Sequence, residues 1–309
     1  MNTPEGYKNI RYARRGNQEL LIVNKGPSNE GFTICRSCGA AVPGEDVKLL
    51  QKIQRPYISG YKYPCRHQNY ENTYLGCNLM TDMVVFEFAL PNDVINTRLD
   101  GYWIKTAALT LAEAMVLAAG RMLDVEFNEI KSGYRIRYGA RKTYVDIFMF
   151  DSLSSGAGYS SAIPDNLDEF FRKTRETLAN CSANCATSCH QCLNHYWNQR
   201  IHTKLDRYKA LELLNWGCAG VLPPPLDISV QYNMLTPIIH WFQYDKSVSI
   251  VKEPDGIYAV GNRTKRKLYV YPVMWNVRDR RIPNDVIRIP DRMIEVALPD
   301  VSTRIIEAL

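Results

Sequence analysis

Residues 181–192 read CSANCATSCHQC, and this stretch decides more about the fold than any other. Three, three and two residues separate its successive thiols. If the first part is helical, its first three cysteines share one face, because four residues advance a helix by about 40° beyond a full turn. The last pair can then fold back to complete a tetrahedron. The predicted ligands of a closed structural zinc site are Cys181, Cys185, Cys189 and Cys192.

The rest of the composition favours metal binding over disulfides. Residues 1–20 contain no apolar segment typical of a secretory signal, and no run approaches the roughly 18 apolar residues of a membrane span. We therefore expect a cytoplasmic protein without a membrane segment, in which nine cysteines among 309 residues serve metal sites. An iron–sulfur cluster and unliganded core cysteines stay open as alternatives, although ferredoxin-type spacing is tighter.

A second cysteine set lies near the start of the chain. Cys35 and Cys38 form a CxxC pair followed by glycine, as in a zinc knuckle. We expect Cys65 and Cys77 to complete this site, and His67 could replace Cys65. The alternative is a single CxxC turn with two ordinary buried cysteines. With both sites filled, the sequence predicts two zinc ions per chain.

Periodicity and turn residues predict an α/β (α+β) fold, a mixed sheet with flanking helices. Residues 1–80 are expected to form a zinc-ribbon-like unit, 81–222 an α/β core with the four-cysteine site, and 226–309 a smaller α/β segment after a run of three prolines. The expected strands are at 83–90, at 125–130 and 134–138 with a turn at 131–133 between them, and at 144–150. The expected helices are at 106–123, from about 164, at 205–214 and after Pro299, with a hairpin around Gly261.

Between residues 83 and 216 the order of motifs resembles a known family. The segments that carry the resemblance are the Ala-rich helix at 106–123, the run IFMFD (147–151) leading to GAGY (156–159), the four cysteines, and LDR at 205–207. Together they resemble the zinc-binding C-terminal domain shared by the MrfA repair helicase and DrmB of the DISARM anti-phage system. The early CxxC pair and YVYPVMW (269–275) look more like the carboxyl half of DrmB. Ser155 stands where the family usually has adjacent glycines.

The resemblance implies a function without catalysis of its own. Such a protein would be a zinc-binding accessory subunit that binds DNA, in single-stranded or junction form, and partners a helicase in trans in DISARM-like bacterial defence. The chain contains no GxxxxGK[ST] phosphate loop and no aspartate–glutamate pair beside a strand, so we expect the ATP-driven motor to be a separate protein.

Candidate DNA contacts combine cations, aromatic rings and a glycine loop. A net charge of +6 is compatible with a polyanionic partner but does not establish one. Cations bind phosphates, aromatic rings stack on bases, and amides at a helix start receive phosphate. Solvated helix faces and ordinary tight turns show the same residues. The candidates are Gly156, Gly158, His195, Trp197, Arg200, Lys204, Arg207, Arg263, Lys265 and Arg266.

Two other functions stay open. Asp124, Glu129 and Lys131 approximate a nuclease metal site, since an acid followed by E-x-K can hold magnesium and orient water. Their spacing and placement relative to the strands are poor. A purely structural scaffold is the other alternative, in which the basic residues are merely solvated.

Overall fold

The computed structural model describes residues 1–52, 64–98, 102–126, 128–245, 248–262 and 264–309. Within these ranges, strands and helices alternate irregularly and the strands form three sheets, which confirms the mixed α+β fold. The strands are β1 Ile10–Asn24, β2 Phe32–Cys35, β3 Ala41–Pro43, β4 Tyr70–Thr73, β5 Leu75–Pro91, β6 Ile130–Arg137, β7 Lys142–Asp151, β8 Ser249–Glu253, β9 Gly256–Val260, β10 Lys265–Tyr271 and β11 Val286–Pro290. The helices are α1 Val47–Leu50, α2 Tyr102–Leu123, α3 Tyr159–Ala162, α4 Leu167–Ala179, α5 Arg207–Ala219, α6 Ile228–Met234, α7 Thr236–Asp245, α8 Met293–Val296 and α9 Leu298–Glu307.

The chain divides into two compact units. The smaller comprises residues 16–82 and 153–157, and it contains the antiparallel sheet β3-β2-β4. The larger comprises residues 1–15, 83–152 and 158–309. The expected boundaries near residues 80 and 222 stay predictions.

The larger unit is built on the central sheet, whose strand order is β1-β5-β7-β6. Strands β5 and β7 are antiparallel, and their apolar runs place Val145, Ile147 and Met149 in the buried core with α2. Helix α2 is rich in alanine and leucine, which favour helix and allow close approach of its neighbours. It packs against α4 and α5 on the same core. The expected central strand and buried helix are thereby confirmed.

Helix α2 is also, in the described part of the chain, long and apolar enough to cross a membrane. More than half of its apolar window is buried inside the protein, as in a core helix. Its buried side chains include Trp103, Leu111 and Met115.

Two local predictions were wrong. The described residues contain one strand where two strands joined by a turn were expected: β6 runs from Ile130 to Arg137 and pairs with β7 throughout. Gly133 lies opposite Phe148, and a Cβ at Gly133 would come within 2.4 Å of the phenylalanine ring. This glycine therefore makes room for a ring rather than for a turn. The cysteine run is also not helical, since α4 ends at Ala179.

The C-terminal part of the larger unit has its own sheet and core. Strands β8, β9 and β10 are antiparallel, and β11 joins β10 in parallel. The hairpin around Gly261 and the helix after Pro299 are confirmed as β9–β10 and α9. Ion pairs connect this sheet region to α5: Lys209 Nζ lies 2.9 Å from Asp291, and Arg292 Nη1 lies 3.0 Å from Asp206.

Candidate metal centres and the adjoining groove

The four cysteines of residues 181–192 converge on one point. Their sulfur atoms all lie within 4.8 Å of one another. The Sγ–Sγ distances are 3.5 Å for Cys181–Cys189, 3.7 Å for Cys185–Cys192 and 3.9 Å for Cys189–Cys192. A tetrahedral ion with Zn–S bonds of about 2.3 Å requires edges of about 3.8 Å. The donor set and its dimensions therefore fit a structural zinc ion.

Backbone amides and burial tune these thiols in opposite directions. The Cys185 amide, as hydrogen-bond donor, lowers the pKa of the Cys181 thiol to about 6. Burial raises the pKa of Cys192 to about 12, although the Cys189 amide, 3.3 Å from its Sγ, counteracts that rise. Thiolate is the form that binds zinc, and a bound cation favours it at every ligand. Cys181 is therefore the thiol most ready to ligate.

Arg207, which was predicted as a DNA contact, is buried and joins the metal loop to the helices. Only 2% of the Arg207 surface is exposed to solvent. The guanidinium donates to the carbonyl oxygens of Cys185 at 3.0 Å, Leu178 at 3.1 Å and Ala179 at 2.9 Å. These bonds use the planar donor fork on backbone acceptors. The side chain therefore joins the end of α4 to the loop that carries the cysteines.

The second cysteine set also forms a group, with one change of ligand. Potential ligand atoms of Cys35, Cys38, Cys65 and His67 lie within 4.8 Å of one another in the smaller unit. Cys38 and Cys65 sulfurs are 3.5 Å apart, and His67 Nδ1 lies 3.7 Å from the Cys65 sulfur. These lengths suit a Cys₃His zinc site, whose S–N edges are about 3.6 Å.

Cys77 does not belong to this group, so the prediction that it is a ligand of this site was wrong. It is exposed on β5, and its Sγ lies 3.6 Å from the Asn78 carbonyl oxygen. His67 occupies the fourth place instead, beside Cys65 rather than as its substitute. Two ligands that are two residues apart reach one ion with little loss of chain entropy.

A polar network fixes the segment that follows the cysteines. Glu113 on α2 accepts hydrogen bonds from Asn198 Nδ2 at 3.0 Å, and its Oε2 lies 3.2 Å from His195 Nε2. Asn198 also donates to the Leu193 carbonyl and accepts from the His195 amide, while His202 Nε2 lies 2.8 Å from its Oδ1. Burial lowers the pKa of His195, and Glu113 opposes that shift. Sequence reasoning missed Glu113, because its acidic side chain interrupts an apolar helix without any local motif.

This network supports a 3₁₀ helix, Tyr196–Lys204, beside a groove of about 690 Å³. Tyr196 is 75% exposed and Trp197 is 68% exposed, with ring centroids 5.3 Å apart in an edge-on arrangement. Lys131 and Arg200 line the same groove. Two large exposed aromatic rings with cations nearby are suited to stacking on bases and contacting phosphates.

Other predicted DNA contacts differ in how accessible they are. Lys204 is exposed at the end of the 3₁₀ helix. Lys265 forms an ion pair with Glu253 at 2.6 Å and lies over the Tyr258 ring. Arg266 is exposed on β10. Arg263 lies outside the described residues.

The glycine loop does not offer the amides that were expected. Gly158 is the N-cap of α3, which has only four residues. The following amides of Tyr159 and Ser160 donate to the Asp151 carboxylate at 3.1 and 2.8 Å. Gly156 has a left-handed φ of 72°, and a Cβ there would lie 2.7 Å from Asp82. These contacts explain both glycines by backbone geometry.

The acidic residues considered for a nuclease do not form a metal cluster. In the described ranges, the groups of three or more potential ligands within 4.8 Å are the two cysteine-containing sets. Asp124, at a left-handed φ of 53° just after α2, belongs to neither, and Glu129 also lies outside both.

Comparison with known proteins defines the class of domain. Residues 111–193 match the family model described as the MrfA Zn-binding domain, a span that includes all four clustered cysteines. The resemblance inferred from the motif order is thereby confirmed at this domain, and the match supports zinc as the metal of the four-cysteine site. The finer likeness to the carboxyl half of DrmB stays a prediction.

A curated relative covers more of the chain. Druantia protein DruE of Escherichia coli (strain UMEA 4076-1) is 30% identical over 270 residues, 81% of this chain but 14% of that protein. The chain thus spans about a seventh of the length of this relative.

Two solved structures of the DUF1998 helicase MrfA also show similarity. The first, bound to DNA, has a TM-score of 0.37 at 13% identity and covers 66% of this chain and 25% of its own. The second, bound to DNA and AMPPNP, has a TM-score of 0.34 at 10% identity and covers 69% of this chain and 23% of its own. TM-scores this low carry no argument about this chain.

Proposed function

We propose that this chain is a non-catalytic, zinc-binding part of a bacterial anti-phage defence system that binds DNA and works with a separate helicase. The defence role is supported by the similarity to a Druantia protein, which is an anti-phage defence protein. A DISARM-like system is the finer form of this proposal, and it rests on the order of motifs alone. Two zinc ions per chain are part of the same proposal, one for each ligand group.

The observation that carries the DNA-binding proposal is the exposed Tyr196–Trp197 pair. The apolar surface of an exposed tryptophan ring is unfavourably hydrated until a ligand or partner covers it. The metal centre on one side and the Glu113–Asn198 hydrogen bond on the other hold this segment in place. A rigid aromatic pair loses little conformational entropy when a base stacks on it. Arg200 and Lys131 in the same groove supply charge for the phosphates.

The test is a titration of the purified, zinc-loaded chain with labelled single-stranded, duplex and forked DNA at physiological salt. We expect preference for unpaired bases, and we expect Trp197→Ala to weaken binding about tenfold, because stacking contributes about 1–3 kcal/mol per base. Trp241→Ala is the matched control, since Trp241 is also half exposed but lies on α7, away from the groove.

The helicase part of the proposal requires a second measurement. The chain and a candidate helicase are mixed and analysed by size-exclusion chromatography with and without DNA. A stable complex, or faster unwinding of forked DNA, is the expected result. Absence of both DNA binding and complex formation would count against the proposed function as a whole.

A further inference from the structure

A cavity of about 160 Å³ lies between the start of α2 and the C-terminal sheet region of the larger unit. Its walls include apolar side chains such as Val273, Met293 and Val296, and three arginines line it. Apolar walls lower the local dielectric constant, so charges in such a concavity act more strongly than on an open surface. The arginines are Arg98, Arg292 and Arg304.

Two of these cations lack a counter-ion in the part of the chain that the structure describes. No ion pair there joins an acidic group to Arg98 or to Arg304, and Arg304 Nη1 donates to the Arg288 carbonyl oxygen at 3.3 Å. Arg292 does pair with Asp206, at 3.0 Å, and with Glu295. Its Nε is nevertheless buried without a hydrogen-bond acceptor among the described residues. The cavity therefore holds excess positive charge and an unused donor, which is costly to leave buried.

Another acid of this region is already engaged. Asp291 accepts from Lys209 Nζ at 2.9 Å with one oxygen and from the Val273 amide at 2.9 Å with the other. Buried Tyr271 also lines the cavity: burial raises the pKa of its hydroxyl and Asp291 adds to the rise, whereas Arg304, Arg288 and Arg98 lower it. The cations thus act on the cavity from several sides.

Helix α2 adds charge of the same sign. Tyr102 and Trp103, the first two residues of this 22-residue helix, line the cavity, and the first turn contains no acidic residue. The N-terminus of a long helix carries a partial positive charge that favours anions. The Tyr102 ring, which is 66% exposed, stands at the rim.

We propose that this cavity binds a phosphate group. Guanidinium groups match phosphate oxygens in geometry, and the buried Arg292 Nε would gain an acceptor. A phosphate fits within this volume, and the remainder of a nucleotide would lie against the exposed Tyr102 ring. The site is separate from the Tyr196–Trp197 groove and does not depend on the proposed DNA-binding function.

Isothermal titration calorimetry of the full zinc-loaded chain tests the proposal. The probes are inorganic phosphate, deoxyadenosine 5′-monophosphate, and a short oligonucleotide with and without a 5′-phosphate. We expect saturable binding of inorganic phosphate with a stoichiometry near one, and at least about tenfold weaker binding in Arg98→Gln and Arg304→Gln. Arg280→Gln removes the same charge from an exposed position that does not line the cavity, so it should bind as the unmodified chain does.

Tyr102→Ala identifies the source of the phosphate. Loss of affinity for the mononucleotide alone assigns a nucleotide, whereas loss for the 5′-phosphorylated oligonucleotide assigns a DNA end, and no loss assigns free phosphate. If a glutamine variant unfolds, Arg304→Lys keeps the charge but loses the donor fork, and it should still weaken binding. No binding of any phosphate probe up to about 10 mM, or equal weakening by Arg280→Gln, would overturn the proposal.

Discussion

Glu113 Oε2 accepts a hydrogen bond from Asn198 Nδ2 at 3.0 Å, across 85 residues of sequence. The same oxygen lies 3.2 Å from His195 Nε2, so one carboxylate on the core helix positions both residues that flank Tyr196 and Trp197. The aromatic pair is exposed, yet its support is internal to the fold.

Glu113→Gln should lower the pKa of His195 further. Burial already lowers this pKa, and the Glu113 carboxylate opposes the shift by stabilising the imidazolium. The neutral amide removes that opposition while keeping the shape. The measurement is an NMR titration of the histidine Cε1 proton. An unchanged or raised pKa of His195 would contradict the assigned contact, and His240, which is exposed on α7, serves as the internal reference.

Cys189→Ser should remove one zinc ion per chain. Cys189 lies close to two other sulfurs of its group, and hydroxyl oxygen is a poor zinc ligand at neutral pH. Elemental analysis of the purified variant gives the count. We expect the 3₁₀ segment to lose protection from hydrogen exchange as well, since the metal fixes its start. A full zinc complement in the variant would contradict the four-thiolate centre.

His67→Ala and Cys77→Ser distinguish the two ligand sets considered for the amino-terminal site. The structure groups His67 with the three cysteines and leaves Cys77 exposed on β5. We therefore expect His67→Ala to weaken zinc retention in a chelator competition assay, while Cys77→Ser retains the ion. The reverse pattern would restore the ligand set first inferred from sequence.

Arg207→Met should destabilise the larger unit by about 3 kcal/mol, because three backbone carbonyl oxygens, one of them buried, lose a charged donor. Urea unfolding measures the free energy, and zinc content is followed in the same samples. Arg207→Lys keeps the charge but reaches fewer acceptors, so its free energy of unfolding should lie between those of Arg207→Met and the unmodified chain. Weakened DNA binding with unchanged stability would instead support the original assignment of Arg207 as a DNA contact.

Titration of Glu212 should lower the free energy of unfolding as the pH rises from about 4.5 to about 7. Burial raises the pKa of this carboxyl to about 7, and Asp291 and Asp206 add to the rise, while Lys209 opposes it. The folded state therefore binds more protons than the unfolded state in this window, so the free energy of unfolding falls with pH. Its Oε2 is buried without a hydrogen-bond partner among the described residues.

Glu212→Gln should remove that fall. The quantity to measure is the difference in unfolding free energy between variant and unmodified chain at pH 5 and pH 7.5, because the contribution of the metal centres cancels in the difference. The variant should gain relative stability at the higher pH. A difference that is the same at both values would show that the carboxyl titrates normally.

Local patterns in the sequence determined several of the elements and the main metal centre. The apolar runs at 83–90 and 144–150 and the Ala-rich run at 106–123 were sufficient to place two strands and a core helix. The four cysteines lie within twelve residues, so the short chain between them limits how far apart the thiols can be. Element type and a compact ligand set are local properties, and sequence reasoning predicts them well.

The tertiary structure alone decided everything that depends on distant residues. Cys77 and His67 were both plausible ligands, and only packing in the smaller unit separates them. The burial of Arg207 and the partners of Glu113 follow from contacts that no spacing rule encodes. The arginine cavity likewise joins residues 98, 292 and 304. Such contacts depend on how helices and sheets pack, since packing sets which charges are desolvated and which remain in water.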